Sequence, residues 1–135
     1  MNNISSELFK YGFHDTFISS IEIRDGKAFV QFPSGLYYLD ESGKETELTG
    51  KCTMIIKTID GVDIYNQIEI LCLLRRKKYK EIDSENIESI IAKTGVGVMN
   101  LYYSRFCSSI MFICGNSKGV YCIDFEACTE VKFLF

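Results

Sequence analysis

The chain has 135 residues, a formal charge of −3, 47% hydrophobic residues, six cysteines, one proline, one histidine and no tryptophan. That length suits a single domain spanning 1–135, able to bury roughly 65–70% of its unfolded surface without covalent staples; the balanced composition excludes disordered and collagen-like chains. One histidine excludes zinc sites built on two or three histidines, the two-histidine iron site and the His-x-x-x-His metalloprotease helix within one chain.

Residues 1–10 (MNNISSELFK) carry neither a basic n-region nor an apolar h-region, so no secretory signal is expected. Ile21 and Ile23 alternate, Asp25-Gly26 supplies a tight turn, and Ala28, Val30 and Phe32 resume the alternation, which predicts a β-hairpin. Ile18 and Ile21 lie three apart, and a bulge near Ser19-Ser20 would restore the register. After Pro33-Ser34-Gly35, residues 36–39 form a short strand with tyrosines on both faces, and residues 41–50 form a polar loop or exposed hairpin tip. Cys52, Met54 and Ile56 alternate with Thr53, Ile55 and Lys57, and Asp60-Gly61 is the next turn. From Ile64 onward, Ile68, Ile70, Cys72 and Leu74 define a buried face. Leu71 and Leu73 on the other side imply a strand covered on both sides at its middle.

Residues 84–93 depart from this pattern. Ile87, Ile90 and Ile91 follow helical spacing, Asp83 is placed to cap the N-terminus, and Glu85 suits the first turn. Ile82 and Ile87 occupy the positions of a hydrophobic staple, and Gly95 ends the helix. Strands follow at 96–103, 107–114, 120–125 and 130–135, the second and third joined through Gly115–Gly119. The terminal Phe133-Leu134-Phe135 is too apolar to hang in water and is expected to pair in a sheet or a dimer contact. The expected fold is mainly β: a β-sandwich or strongly curved antiparallel sheet of about eight strands with one short helix.

No two of the six cysteines form a C-x-x-C pair, which removes zinc-knuckle and thioredoxin-like motifs. The apolar runs fall well short of the roughly 20 residues a membrane-spanning helix needs. A cytoplasmic, reducing location is expected, with most thiols acting as small hydrophobes: Cys72, Cys114 and Cys122 sit in apolar strand runs, whereas Cys107 and Cys128 look edge-like. A cysteine nucleophile would need an electropositive, partly exposed setting, and any histidine-assisted one would have to use His14.

Phe13-His14-Asp15-Thr16-Phe17-Ile18-Ser19-Ser20-Ile21 is the most distinctive stretch. A turn anchored by His14 and Asp15 explains it structurally, whereas a general base or ligand at His14 explains it chemically. Adjacent strand residues point to opposite faces, so the two side chains are not expected to act as an orienting pair, and the structural explanation is favoured. The stretch resembles the opening segment (Leu/Phe-His-Asp-Ser/Thr-x-Ile-x-x-Ile) of small bacterial proteins, some of them like the immunity proteins that accompany toxin systems. The resemblance covers about the first 25 residues; it implies a β-rich fold and carries no active site over. The helical phosphohydrolases named for a His-Asp motif need several histidines and do not fit.

Arg75, Arg76, Lys77, Lys78 and Lys80 form a basic run that is a candidate partner-binding patch. Glu81, Asp83, Glu85 and Glu88 follow at once, so a charge-balanced surface is the favoured explanation of the run, and with a pI near 5.2 no nucleic-acid binding is expected. Gly95-Val96-Gly97-Val98 follows a helix instead of leading into one, so it is no phosphate loop. Asp124 with Glu126, on one strand face, and Asp60 with Asp63 are the carboxylate pairs. Tyr37-Tyr38 and Tyr102-Tyr103 offer tyrosines to the surface. These features favour a non-catalytic, immunity-like protein-binding domain with a protein partner, no cofactor, no metal, no membrane association and an open oligomeric state. The alternative is a small enzyme or ligand-binding β-domain using His14 with a cysteine or with a carboxylate such as Asp15.

Overall fold

The structure, a computed structural model, describes residues 4–74 and 78–135. The first half comprises α1 (Ile4–Leu8), β1 (Tyr11–Gly12), β2 (Phe17–Ile18), β3 (Ser20–Arg24), β4 (Lys27–Phe32), β5 (Tyr37–Leu39), β6 (Glu45–Leu48) and β7 (Cys52–Thr58). The second comprises β8 (Ile68–Leu73), β9 (Tyr79–Ile82), α2 (Ile87–Ala92), β10 (Val96–Ser104), β11 (Ser109–Asn116), β12 (Gly119–Phe125) and β13 (Cys128–Leu134). These strands form three antiparallel sheets: six strands in the order β2-β10-β11-β12-β8-β9, four in the order β13-β7-β4-β3, and three in the order β1-β5-β6. The fold is mainly β, as expected, with more strands than the eight read from the sequence. The surplus comes from short pairings such as β1 and β2, two residues each, which leave no periodic signal.

Asp25 and Gly26 both take positive φ (52° and 71°), the type I′ geometry whose twist suits adjoining antiparallel strands, and β3 pairs with β4 from Arg24↔Lys27 onward. The irregularity near Ser19 is not a bulge. Ile18 belongs to β2 and pairs with Val96 in the six-stranded sheet, whereas Ile21 pairs with Val30 in the four-stranded one. The chain changes sheets between them, so both isoleucines are buried despite their three-residue spacing. The segment beginning at Ile64 opens as a 3-10 turn, Ile64–Gln67, because the Asp63 carboxylate accepts the Tyr65 N–H and tightens the backbone before β8 starts. The predicted helix is a 3-10 turn, Ser84–Asn86, running into α2, with the Asp83 side chain accepting from the Glu85 N–H. The additional helix α1 has no counterpart among the expected elements.

Buried residues of the two larger sheets form one cluster. Ala28, Val30 and Phe32 of β4 and Cys52, Met54 and Ile56 of β7 point into it, as do Ile110, Phe112 and Cys114 of β11 and Tyr121, Ile123 and Phe125 of β12. Phe13 links the sheets, its ring centroid 6.0 Å from Phe32 and 6.4 Å from Phe112, both edge-on. The outer β3 strand is shielded by α2, whose Glu88 Oε1 accepts the Ile23 N–H at 3.2 Å. At the C-terminus Phe133 and Leu134 pair with Met54 and Thr53 in the sheet, while Phe135 lies beyond the strand, 62% exposed, its ring 6.5 Å from that of Phe133.

Candidate functional site

His14 and Asp15 sit in a turn stitched to β10: the Asp15 N–H donates to the Val98 carbonyl and the Val98 N–H to the Thr16 carbonyl. His14 Nδ1 donates to the Met99 carbonyl at 2.5 Å, and Nε2 lies 3.3 Å from Asp15 Oδ2. The two side chains therefore do meet. Asp15 has a positive φ (62°), which breaks the strand alternation that would have separated them. The imidazole is well exposed and borders a cleft of about 260 Å³ that also takes in Tyr11, Leu39, Glu45 and Asn100. The Met99 carbonyl, then the Asp15 carboxylate, favour the imidazolium and raise its pKa above the ordinary value. An NMR titration should place the His14 midpoint above 6.5, and Asp15→Asn should lower it; a midpoint unmoved by that change would remove Asp15 from the account.

Among the described residues no cysteine borders that cleft. Cys52, Cys114 and Cys128 are buried, and burial pushes their thiols up to about 11, 12 and 12. Cys128 is thus a core residue and not an edge residue: its side chain faces inward while those of Thr129 and Glu130 stay exposed. Cys107 is exposed in the turn between β10 and β11, its thiol eased downward by Ser104 and Ser109. Of the basic run, Arg75, Arg76 and Lys77 lie outside the described residues, while Lys78 and Lys80 are exposed. No group of three or more His, Cys, Asp or Glu among the described residues has metal-binding geometry, and none of their helices is long and apolar enough to cross a membrane.

The outward faces of the two larger sheets differ sharply in chemistry. On the four-stranded sheet the outward residues include Glu22, Arg24, Lys27, Lys57, Glu130 and Lys132 around a small centre of Phe29 and Ile55. On the six-stranded sheet, pairing aligns Ile113, Cys122 and Leu71 across β11, β12 and β8, beside a second row of Val120, Leu73 and Tyr79. Tyr102 and Met111 extend it, and the Met99 side chain lies over Gly115. Leu73 is 50% exposed, Tyr79 66%, Tyr102 49% and Met99 44%. Leu74 is also exposed, so the buried face predicted for β8 stops at Cys72. The sequence made β8 apolar on both sides, and the structure covers only one of them.

One end of this outward face is acidic. Asp124 stands opposite Glu69 on β8 and Met111 on β11. Its Oδ1 is fully buried with no hydrogen-bond partner among the described residues. Glu69 also borders the adjoining hollow of about 510 Å³, together with Glu81, Asp83, Glu126 and Asn66. Burial first, then the charges of Glu126 and Glu69, push Asp124 up to about 6. The folded state therefore holds this proton up to about pH 6, whereas the unfolded chain releases it near 3.8. Stability from this group is present below pH 4 and is lost as pH rises through 6. Asp124→Asn is accordingly expected to stabilise the protein at pH 7 by about 1–2 kcal/mol, after allowance for solvent screening, and to give no gain at pH 4. Urea unfolding at the two pH values measures the difference; an equal effect at both would refute it.

Comparison with known protein families, curated proteins and solved structures finds no match to this chain.

Proposed function

We propose that this chain is a non-catalytic protein-binding domain that engages its partner through the outward face of the six-stranded sheet. One observation carries the reading: a contiguous patch of apolar side chains on the outward side of the sheet whose other face forms the core, with Ile113, Cys122, Leu71 and Val120 partly exposed and Leu73 half exposed. Aromatic and methionine side chains at its margin, Tyr79, Tyr102, Met99 and Met111, are of the types enriched in protein interfaces. The resemblance of the opening segment to immunity-like proteins gives the finer version, in which the partner is a toxin.

The test is capture from the native cell with matched surface variants. Wild-type chain should retain a stoichiometric partner, Ile113→Lys should lose it, and Ile55→Lys on the opposite sheet should keep it. Equal retention by both variants, or no stoichiometric partner at all, would overturn the reading. A second reading has its own observation: His14 borders a cleft with Glu45 and Asn100, a setting for a small polar ligand. It predicts that His14→Ala abolishes ligand-induced thermal shifts while leaving partner capture intact.

A further inference from the structure

The acidic end of the apolar face specifies the chemistry of what lies on it. On the outward face of β8, β9 and β12 the charged side chains in register with the apolar rows are all carboxylates: Glu69, Glu81 and Asp124. Glu126 follows directly after β12 and its charge reaches Asp124. None of Glu69, Glu81, Asp124 or Glu126 has an ion-pair partner among the described residues. A carboxylate oxygen removed from water without a donor is costly, and the arrangement becomes favourable once a cation or N–H donor reaches it. Glu69 belongs both to the sheet face and to the 510 Å³ hollow, so the apolar and acidic surfaces are continuous.

We infer that the partner segment docked on this face is apolar and basic: its Leu, Ile or aromatic side chains cover Leu71, Ile113, Val120 and Cys122, and a Lys or Arg side chain reaches the acidic end of the face to pair with Glu69 and with Asp124 across the β8–β12 pairing. The inference rests on the docking reading above. Arginine suits the site best, because its planar fork donates to two carboxylates at once and tolerates partial desolvation. A purely apolar partner would bury four carboxylates against nothing, and an acidic one would add repulsion.

Three nine-residue peptides that alternate leucine with arginine, serine or glutamate provide the probe. They are titrated into the full ¹⁵N-labelled chain, with binding read from amide shifts. The arginine peptide is expected to bind about tenfold tighter than the glutamate peptide, with shifts centred on β8, β11 and β12, and to weaken as salt is raised. The double variant Asp124→Asn with Glu69→Gln, which retains the apolar rows, should reduce that preference about fivefold or more. Shifts on this face without charge preference, or a preference untouched by the double variant, would overturn the inference and leave the docking reading standing. Shifts confined to other surfaces would overturn both. A concentration-dependent dimer dispersed by Ile113→Lys in sedimentation equilibrium would assign the face to a second copy and overturn the basic partner.

Discussion

Replacing Phe112 with alanine is expected to destabilise the protein by about 3–5 kcal/mol, the range for removing a fully buried aromatic ring from a core. Phe112 is completely buried, and its ring meets Phe13 edge-on at 6.4 Å and Phe125 edge-on at 6.2 Å. Phe13 in turn touches Phe32 and Phe133 of the four-stranded sheet, so the ring stands at the contact between the two sheets. Phe112→Leu keeps most of the volume and should cost clearly less than the alanine change. Guanidinium unfolding of the two variants measures the difference. An alanine variant within 1 kcal/mol of wild type would mean that the sheets do not depend on this contact.

Gly95→Ala is the second large effect, about 3 kcal/mol, and its cause lies in the backbone. Gly95 closes α2 in the left-handed region (φ 65°), its N–H donating to the Ile91 carbonyl at 2.7 Å. A β-carbon there would stand 2.7 Å from the Ile18 carbonyl oxygen and 2.3 Å from the Phe17 ring. The ring can swing aside, but the carbonyl belongs to β2, which is paired with β10 through Val96↔Ile18 and cannot retreat without breaking that ladder. Gly26→Ala is the control: its φ is equally left-handed (71°), yet nothing lies within 4 Å of the added carbon, so only the conformational cost of about 1–2 kcal/mol applies. Thermal unfolding of both variants separates steric conflict from strain. Equal losses would show that the approach of β2 adds nothing.

The physical consequence of Asp124 joins stability to the proposed docking. At neutral pH the residue works against the folded state, and a neutral asparagine would be easier to hold in the same place. A position where the isolated fold is worse off than it need be suits a surface whose electrostatics are completed by something else. The measurements described for Asp124→Asn and for the arginine peptide therefore pull in opposite directions on one residue: the variant should gain stability and lose binding preference.

Much of the fold was legible because strand alternation and turn chemistry are local. Cys52, Met54 and Ile56 fall on the buried side of β7, Asp25-Gly26 makes its tight turn, and the helix after Asp83 stops at Gly95 as the residues require. The legible signals thinned where tertiary pairing overrides period: the sheet change at Ser19, the 3-10 turn after Asp63, and the two-residue strands. Strand geometry makes the His14 and Asp15 side chains diverge, and the single left-handed residue Asp15 reverses that. In the sequence the outward face shows only as leucines on both sides of β8, a pattern that implies a second covering layer.

By itself the sequence determined a mainly β chain with its turns, its short helix and the residues that alternate into the core. It also excluded the metal sites that need more than one histidine. Period-two patterning says that a strand has two apolar faces, but not which of them the rest of the chain will cover. Covering depends on contacts between residues far apart in sequence, here the packing of β4 and β7 against β11 and β12. The tertiary structure alone decided that this packing uses one face of the six-stranded sheet. It left the other side partly exposed, with a carboxylate oxygen at its acidic end that has no partner among the described residues.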